Sequence, residues 1–236
     1  AGDDAAGFAI SESLRAQVSG VRQAKFNAQN ATSLIQTAEG GLNEQNNILV
    51  RMRELAVYSA SDTIGDKERE FINKEFVQLQ QEVDRIALTT RFGNKSLLTG
   101  SGEEFQFHVG ANSGKENVIK FKLEANTRGS DLGVDSMNVL EQDDARDSLA
   151  DLDSALLKVA GARATFGAAQ SRFEFAQDHL SSQEENLESA RSMITDVDVA
   201  KEVSNLTKNQ ILQDIGTHVL AQANADATRA LRLIQM

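Results

Sequence analysis

The chain has no cysteine, no proline and no tryptophan in its 236 residues. Without cysteine it has no disulfides and no thiolate metal ligands, which excludes a cross-linked scaffold and a cysteine zinc site. Without proline the commonest cause of a helix break is missing, so the 16 glycines must make the turns. Basic charge is scarce as well: 24 Lys and Arg stand against 35 Asp and Glu, a net charge of -11 with a pI of about 4.8. That balance offers no basic stripe to nucleic acid or to anionic lipid. No apolar run reaches the ~18 residues of a membrane span, and the opening residues do not read as a signal peptide.

What is present is a seven-residue repeat. Leu14, Val21, Ala28, Ile35, Leu42, Leu49 and Ala56 recur at every seventh position, and Leu152, Val159, Phe166, Phe173, Leu180, Leu187 and Ile194 do the same further on. Each large residue of the second series is followed three positions later by Ala155, Ala162, Ala169, Ala176, Gln183, Ala190 or Val197. A period of about 3.5 residues keeps one stripe of a helix against a partner along its whole length. The pattern predicts a mainly α fold, an elongated antiparallel helical bundle or coiled-coil rod. At about 1.5 Å per residue the first series alone spans roughly 65 Å. A rod of this kind favours a structural role over a catalytic one.

Residues 4–59 read as one helix, with Asp3 or Asp4 placed to cap its start. Gly20, Gly40 and Gly41 interrupt it, either as tolerated weak points or as places where a neighbour comes close. After a turn at 61–65, the spacing of Ile72, Phe76, Leu79, Val83 and Ile86 predicts a second helix over 66–88 that folds back on the first. The period then changes. Phe105, Phe107 and Val109 alternate with polar residues, as do Ile119, Phe121 and Leu123, so 104–124 reads as a β-hairpin around the loop GANSGKEN. Residues 126–142 read as short, polar and turn-rich, and a third long helix follows over 143–195. Val199, Val203, Leu206, Leu212, Ile215, Val219, Ala223, Ala227, Ala230 and Ile234 predict a last amphipathic helix. The domain boundary therefore falls near 196, with 1–196 as a core and 197–236 as a terminal helix. Such an apolar terminal helix has no evident partner in the chain.

No constellation of catalytic or ligand-binding residues emerges. His108, His179 and His218 lie in different elements without metal-ligand spacing. Glu184-Glu185 and Asp143-Asp144 read as solvated helix faces and caps. The opening AGDDAAG lacks the lysine and the preceding strand of a phosphate cradle. Gln17, Gln45 and Gln183 fall in the heptad seams, where a polar residue fixes register. The expectation is a protein with no cofactor and no enzyme activity.

The segments AGDDAAGFAISESLRAQVSGVRQA (1–24), SLIQTAEGGLNEQNNILVRMRELAVYSAS (33–61), VDRIALTTRFGNKSLL (83–98), FHVGAN (107–112) and SNLTKNQILQDIGTHVLAQANA (204–225) resemble bacterial flagellin, in the same order along the chain. The resemblance implies a subunit that polymerises into the flagellar filament for swimming motility, secreted to the cell exterior. It implies as partners other copies of the chain, an export chaperone, a filament cap protein and the hook-filament junction protein. It further implies about forty preceding residues whose helix pairs with 199–236, and no outer domains, since only 126–142 stand in their place. The alternatives are the hook-filament junction protein itself and, in another class, a signalling coiled coil.

The seam residues are then Leu42, Leu49, Phe166, Phe173, Leu180 and Leu187, with Leu212, Ile215 and Val219 packing the terminal helix. Many flagellins bind a host Toll-like receptor through an Arg and a Leu on one helix and a Glu on the next. The matching positions here are Arg51, Leu55 and Glu75, with Met52 and Tyr58 beside them; Arg51 and Leu55 are one helical turn apart, which predicts that they share a face. Serines and threonines such as Ser113 and Thr127 are expected to be exposed.

Overall fold

The computed structural model describes residues 4–234, with side chains for 4–226. Its elements are α1 (Ala5–Ser59), α2 (Asp66–Thr89), β1 (Arg91–Phe92), β2 (Lys95–Ser96), β3 (Glu104–His108), β4 (Val118–Lys122), α3 (Gly129–Leu132), α4 (Gln142–Thr195) and α5 (Val199–Ile234). The fold is mainly helical with a small β region, as the periodicities predict. Residues 13–188 form one compact unit, and the described residues outside it, 4–12 and 189–234, form another.

In the larger unit α1 and α4 are antiparallel. Arg22 pairs with Glu184, Thr32 with Gln177, Glu39 with Arg163 and Arg53 with Asp153, so partner numbers fall as α1 numbers rise. The heptad pattern explains why these faces meet. Every a and d position from Val21 and Ala24 to Ala56 and Ser59 is buried on α1, and Leu152, Ala155, Val159, Phe166, Ala169, Phe173 and Leu180 are buried on α4. Small residues facing large ones let the helices approach closely, which is the packing a 3.5-residue repeat selects.

α2 also lies antiparallel to α1. The Arg51 guanidinium meets Glu75 at 3.0 Å, and the Gln45 amide donates to the Val83 carbonyl at 2.9 Å. Ile72, Phe76 and Val83 fill the shared core. Arg69, only 8% exposed, donates to the Ser59 and Ser61 carbonyls at 3.0 and 3.1 Å and so satisfies acceptors left open at the end of α1.

Beyond α2 the β region covers α1 and α4. β3 and β4 are antiparallel, with Phe105 opposite Phe121 and Phe107 opposite Ile119. These apolar residues share one face because side chains alternate along a strand. Phe107 meets Phe173 edge-on with ring centroids 5.3 Å apart, and Phe121 packs on Phe166 at 5.4 Å. β1 and β2 form a second hairpin too short for period analysis, turned at Gly93 with φ of 60°.

The helix glycines separate into two kinds. A Cβ at Gly20 would stand 3.2 Å from the Ala111 Cβ, and one at Gly41 would stand 2.6 Å from Thr90 Oγ1 and 2.9 Å from Leu98 Cδ1. Both mark close approach of the β region. A Cβ at Gly40 meets nothing within 4 Å, so that glycine is a tolerated weak point.

The segment 126–142 differs from its polar reading. Leu132, Val134, Met137 and Val139 are all buried, and Thr127, expected to be exposed, is 2% exposed. Side chains from the helices hold this strap by its backbone. Gln80 donates to the Val134 and Met137 carbonyls at 2.6 and 2.8 Å, Ser59 donates to the Val139 carbonyl at 2.6 Å, and Asn73 accepts from the Val139 N–H at 3.1 Å.

In the smaller unit Asp4 Oδ1 accepts from the Gly7 N–H at 2.8 Å and caps α1; Asp3 lies outside the described residues. Asp198 caps α5 in the same way, accepting from the Ala200 and Lys201 N–H groups at 3.0 and 3.2 Å.

Candidate functional site

The seam is continuous through the larger unit and stops at its end. Leu42, Leu49, Phe166, Phe173 and Leu180 are buried. Leu187 is half-buried against the cluster of Val21, Ala24 and Leu180. Ile194 and Val197 hold heptad positions by sequence but are 43% and 66% exposed. Of the seam glutamines only Gln45 is buried. Gln17 is exposed and Gln183 half-buried, so neither fixes register as the spacing suggests.

Arg51, Glu54 and Glu75 form a surface ion-pair group. The Arg51 guanidinium donates to Glu75 Oε1 and to Glu54 Oε2, both at 3.0 Å, and these hydrogen bonds, Glu54's first, raise its pKa above the ordinary arginine value. The structure corrects the expected shared face. Leu55 is 5% exposed and joins the core cluster of Ile72 and Phe76, and Met52 is fully buried, while Tyr58 is 56% exposed. One helical turn separates Arg51 from Leu55, but α1 is covered by both α2 and α4, so its buried arc is wider than two heptad positions and takes Leu55 in. Phe71, 67% exposed with the Lys74 ammonium 5.2 Å from its ring centre, stands on the neighbouring helix and was not legible as a surface residue.

Among the described residues α5 presents an uncovered apolar surface. Every described side chain from Val199 to Asp226 is exposed. Leu212, Ile215 and Val219 are 57%, 53% and 60% exposed. Ala227, Ala230 and Ile234, which complete the predicted stripe, lie outside the residues with described side chains. A monomer leaves so much apolar surface open only where something binds it.

Among the described residues no group of His, Asp and Glu is placed to hold a metal, and no helix is long and apolar enough to cross a membrane. His108, His179 and His218 are all exposed. A cavity of about 300 Å³ between β4 and α4 is floored by Phe121 and Phe166; its Lys158 ammonium is engaged by the Asp131 carbonyl at 2.7 Å. Lys122 and Glu124, paired at 2.7 Å, also line it.

Heptad-packed antiparallel helices with an apolar helical arm are the architecture of a structural protein. The comparisons agree. The bacterial flagellin N-terminal helical region matches residues 1–103, and the bacterial flagellin C-terminal helical region matches 149–234. A flagellin of Halalkalibacterium halodurans is 40% identical over 236 residues, covering 100% of this chain and 86% of the relative. The flagellar filament 30.7 kDa core protein of Treponema maltophilum is 41% identical over 247 residues, covering 99% and 86%. The crystal structure of Bacillus cereus flagellin superposes with a TM-score of 0.59 at 30% identity, covering 70% of this chain and 94% of that one. The chain belongs to the flagellin family, and it is a structural subunit of the bacterial flagellar filament that serves motility. The signalling coiled coil falls away, and these relatives, matched over nearly the whole of this chain, are a flagellin and a filament core protein.

Proposed function

We propose that the exposed apolar surface of α5 is where copies of this chain join in the filament, outside the cell. The observation that carries this is the exposure of Leu212, Ile215 and Val219 on a capped, continuous helix. Burial of apolar area contributes about 25 cal/mol per Å², so an arm of this kind is a strong driver of association. The 13–188 unit then acts as the preformed, rigid part of the subunit. Before assembly the same surface needs cover, which makes α5 the segment for an export chaperone to hold. The cap protein and the hook-filament junction protein are partners at the two ends of the polymer. The role is mechanical and requires no catalytic group. Hydrogen exchange tests it: amides of 199–234 exchange fast in the dilute monomer and become protected in the polymer. Equal protection in both states would overturn the reading.

A second reading concerns the free monomer. Arg51, Glu54 and Glu75 stand together on the surface, half exposed, and an arginine fork of this kind pairs well with a partner's acceptors. We infer a host Toll-like receptor as that partner, with Leu55 supporting the group from beneath rather than touching the receptor. A receptor-reporter assay should lose signal for Arg51→Ala and for Glu75→Ala in properly folded monomer. Unchanged signals in both variants would remove this reading.

A further inference from the structure

The α4 seam opens at Ala162. Its small heptad positions are Ala155, Ala162 and Ala169; the first and third are buried, while Ala162 is only half-buried. Ala162 lines the cavity of about 300 Å³ over Phe121 and Phe166. Lys122 and Glu124 line it from the side where β4 ends and the strap begins, and Lys158 and Thr165 line it from α4.

The charges around this cavity do not balance. Lys122 and Glu124 neutralise each other at 2.7 Å. Lys158 donates to the neutral Asp131 carbonyl at 2.7 Å and, among the described residues, has no carboxylate partner. An ammonium carries three N–H donors, so two remain and the charge is uncompensated. The bond to Asp131 already holds the lysine in place, which lowers the ordering cost of binding a ligand there. The floor is a pair of phenyl rings with centroids 5.4 Å apart and planes inclined at 49°, a surface that takes a third ring edge-on or offset. A cavity of this size stands at the lower end of small-molecule sites and has room for a single ring with one polar group.

We propose that this cavity binds a small aromatic monocarboxylate, its ring on Phe121 and Phe166 and its carboxylate on Lys158. The anion supplies the charge-assisted hydrogen bonds the ammonium lacks, and the ring leaves water for an apolar surface. The bound molecule bridges β4, the strap and α4, and so stabilises the 13–188 unit by mass action. A chain of net charge -11 repels anions in general, so retention of one reports this site.

The probe is 4-fluorobenzoate, titrated into the dilute full chain and followed by its fluorine resonance, with the melting temperature measured alongside. The expected result is saturable binding with a Kd of about 1 mM and a higher melting temperature at saturation. Lys158→Gln should bind roughly tenfold more weakly, and Ala162→Leu, which fills the cavity, should not bind. Thr165→Leu, at an exposed helix position on the cavity wall, replaces Ala162→Leu if that variant fails to fold. No saturable shift with the parent, or equal binding by the parent and both variants, would overturn the site. Loss in the filled variant with full retention in Lys158→Gln would overturn the carboxylate as the ligand class.

Discussion

Gln45, fully buried in the α1 seam, donates its amide to the carbonyl of Thr127 at 3.0 Å while also reaching Val83 at 2.9 Å. One side chain thus fixes three segments: α1, α2 and the strap after β4. Gln45→Leu keeps the volume but leaves the Thr127 carbonyl buried without that donor, which costs about 1–3 kcal/mol. Urea denaturation should show the loss. An unchanged midpoint would mean the strap is held without Gln45.

Phe173 and Phe175 separate core from surface on one helix. Phe173 is fully buried and Phe175 is 74% exposed. Phe173→Ala should cost on the order of 3–5 kcal/mol, whereas Phe175→Ala should leave the melting temperature nearly unchanged. Equal effects by circular dichroism would contradict the seam.

Gly40 and Gly41 offer a sharper contrast, since alanine is favoured over glycine in a helix by about 1 kcal/mol. Gly40→Ala meets nothing and should stabilise the protein. Gly41→Ala drives a methyl onto Thr90 and the buried Leu98 and should destabilise it. Thermal melts of the two variants should move in opposite directions.

Acid should weaken the α1–α4 contact at one known place. The hydrogen bond from Arg22 holds the Glu184 carboxylate below its ordinary value of 4.5, with Lys25 adding to it. A depressed carboxylate stabilises the fold above its unfolded value, and that contribution disappears as pH falls through the lower folded one. Glu184→Gln should therefore melt earlier than the parent at neutral pH, and the gap should close below the ordinary carboxylate range. Because the pair is exposed, about 1 M salt should narrow the gap at neutral pH as well.

The long helices and their buried stripes were legible because a 3.5-residue period is unambiguous over many turns. Leu132, Val134, Met137 and Val139 were not, because their irregular spacing fits neither a helix nor a strand, and their burial depends on Gln80, Asn73 and Ser59 gripping the backbone. Leu55 escaped for a related reason: the seam predicts two buried positions per heptad, and only tertiary packing shows that α1 is covered on two sides.

The central claim is that α5 drives assembly. Electron microscopy of the full-length protein after salting out tests it most directly, comparing the parent with Ile215→Asp. The account predicts long uniform filaments from the parent and none from the variant, with the melting of the 13–188 unit unchanged. Filaments formed as readily by Ile215→Asp, or none formed by the parent, would contradict it.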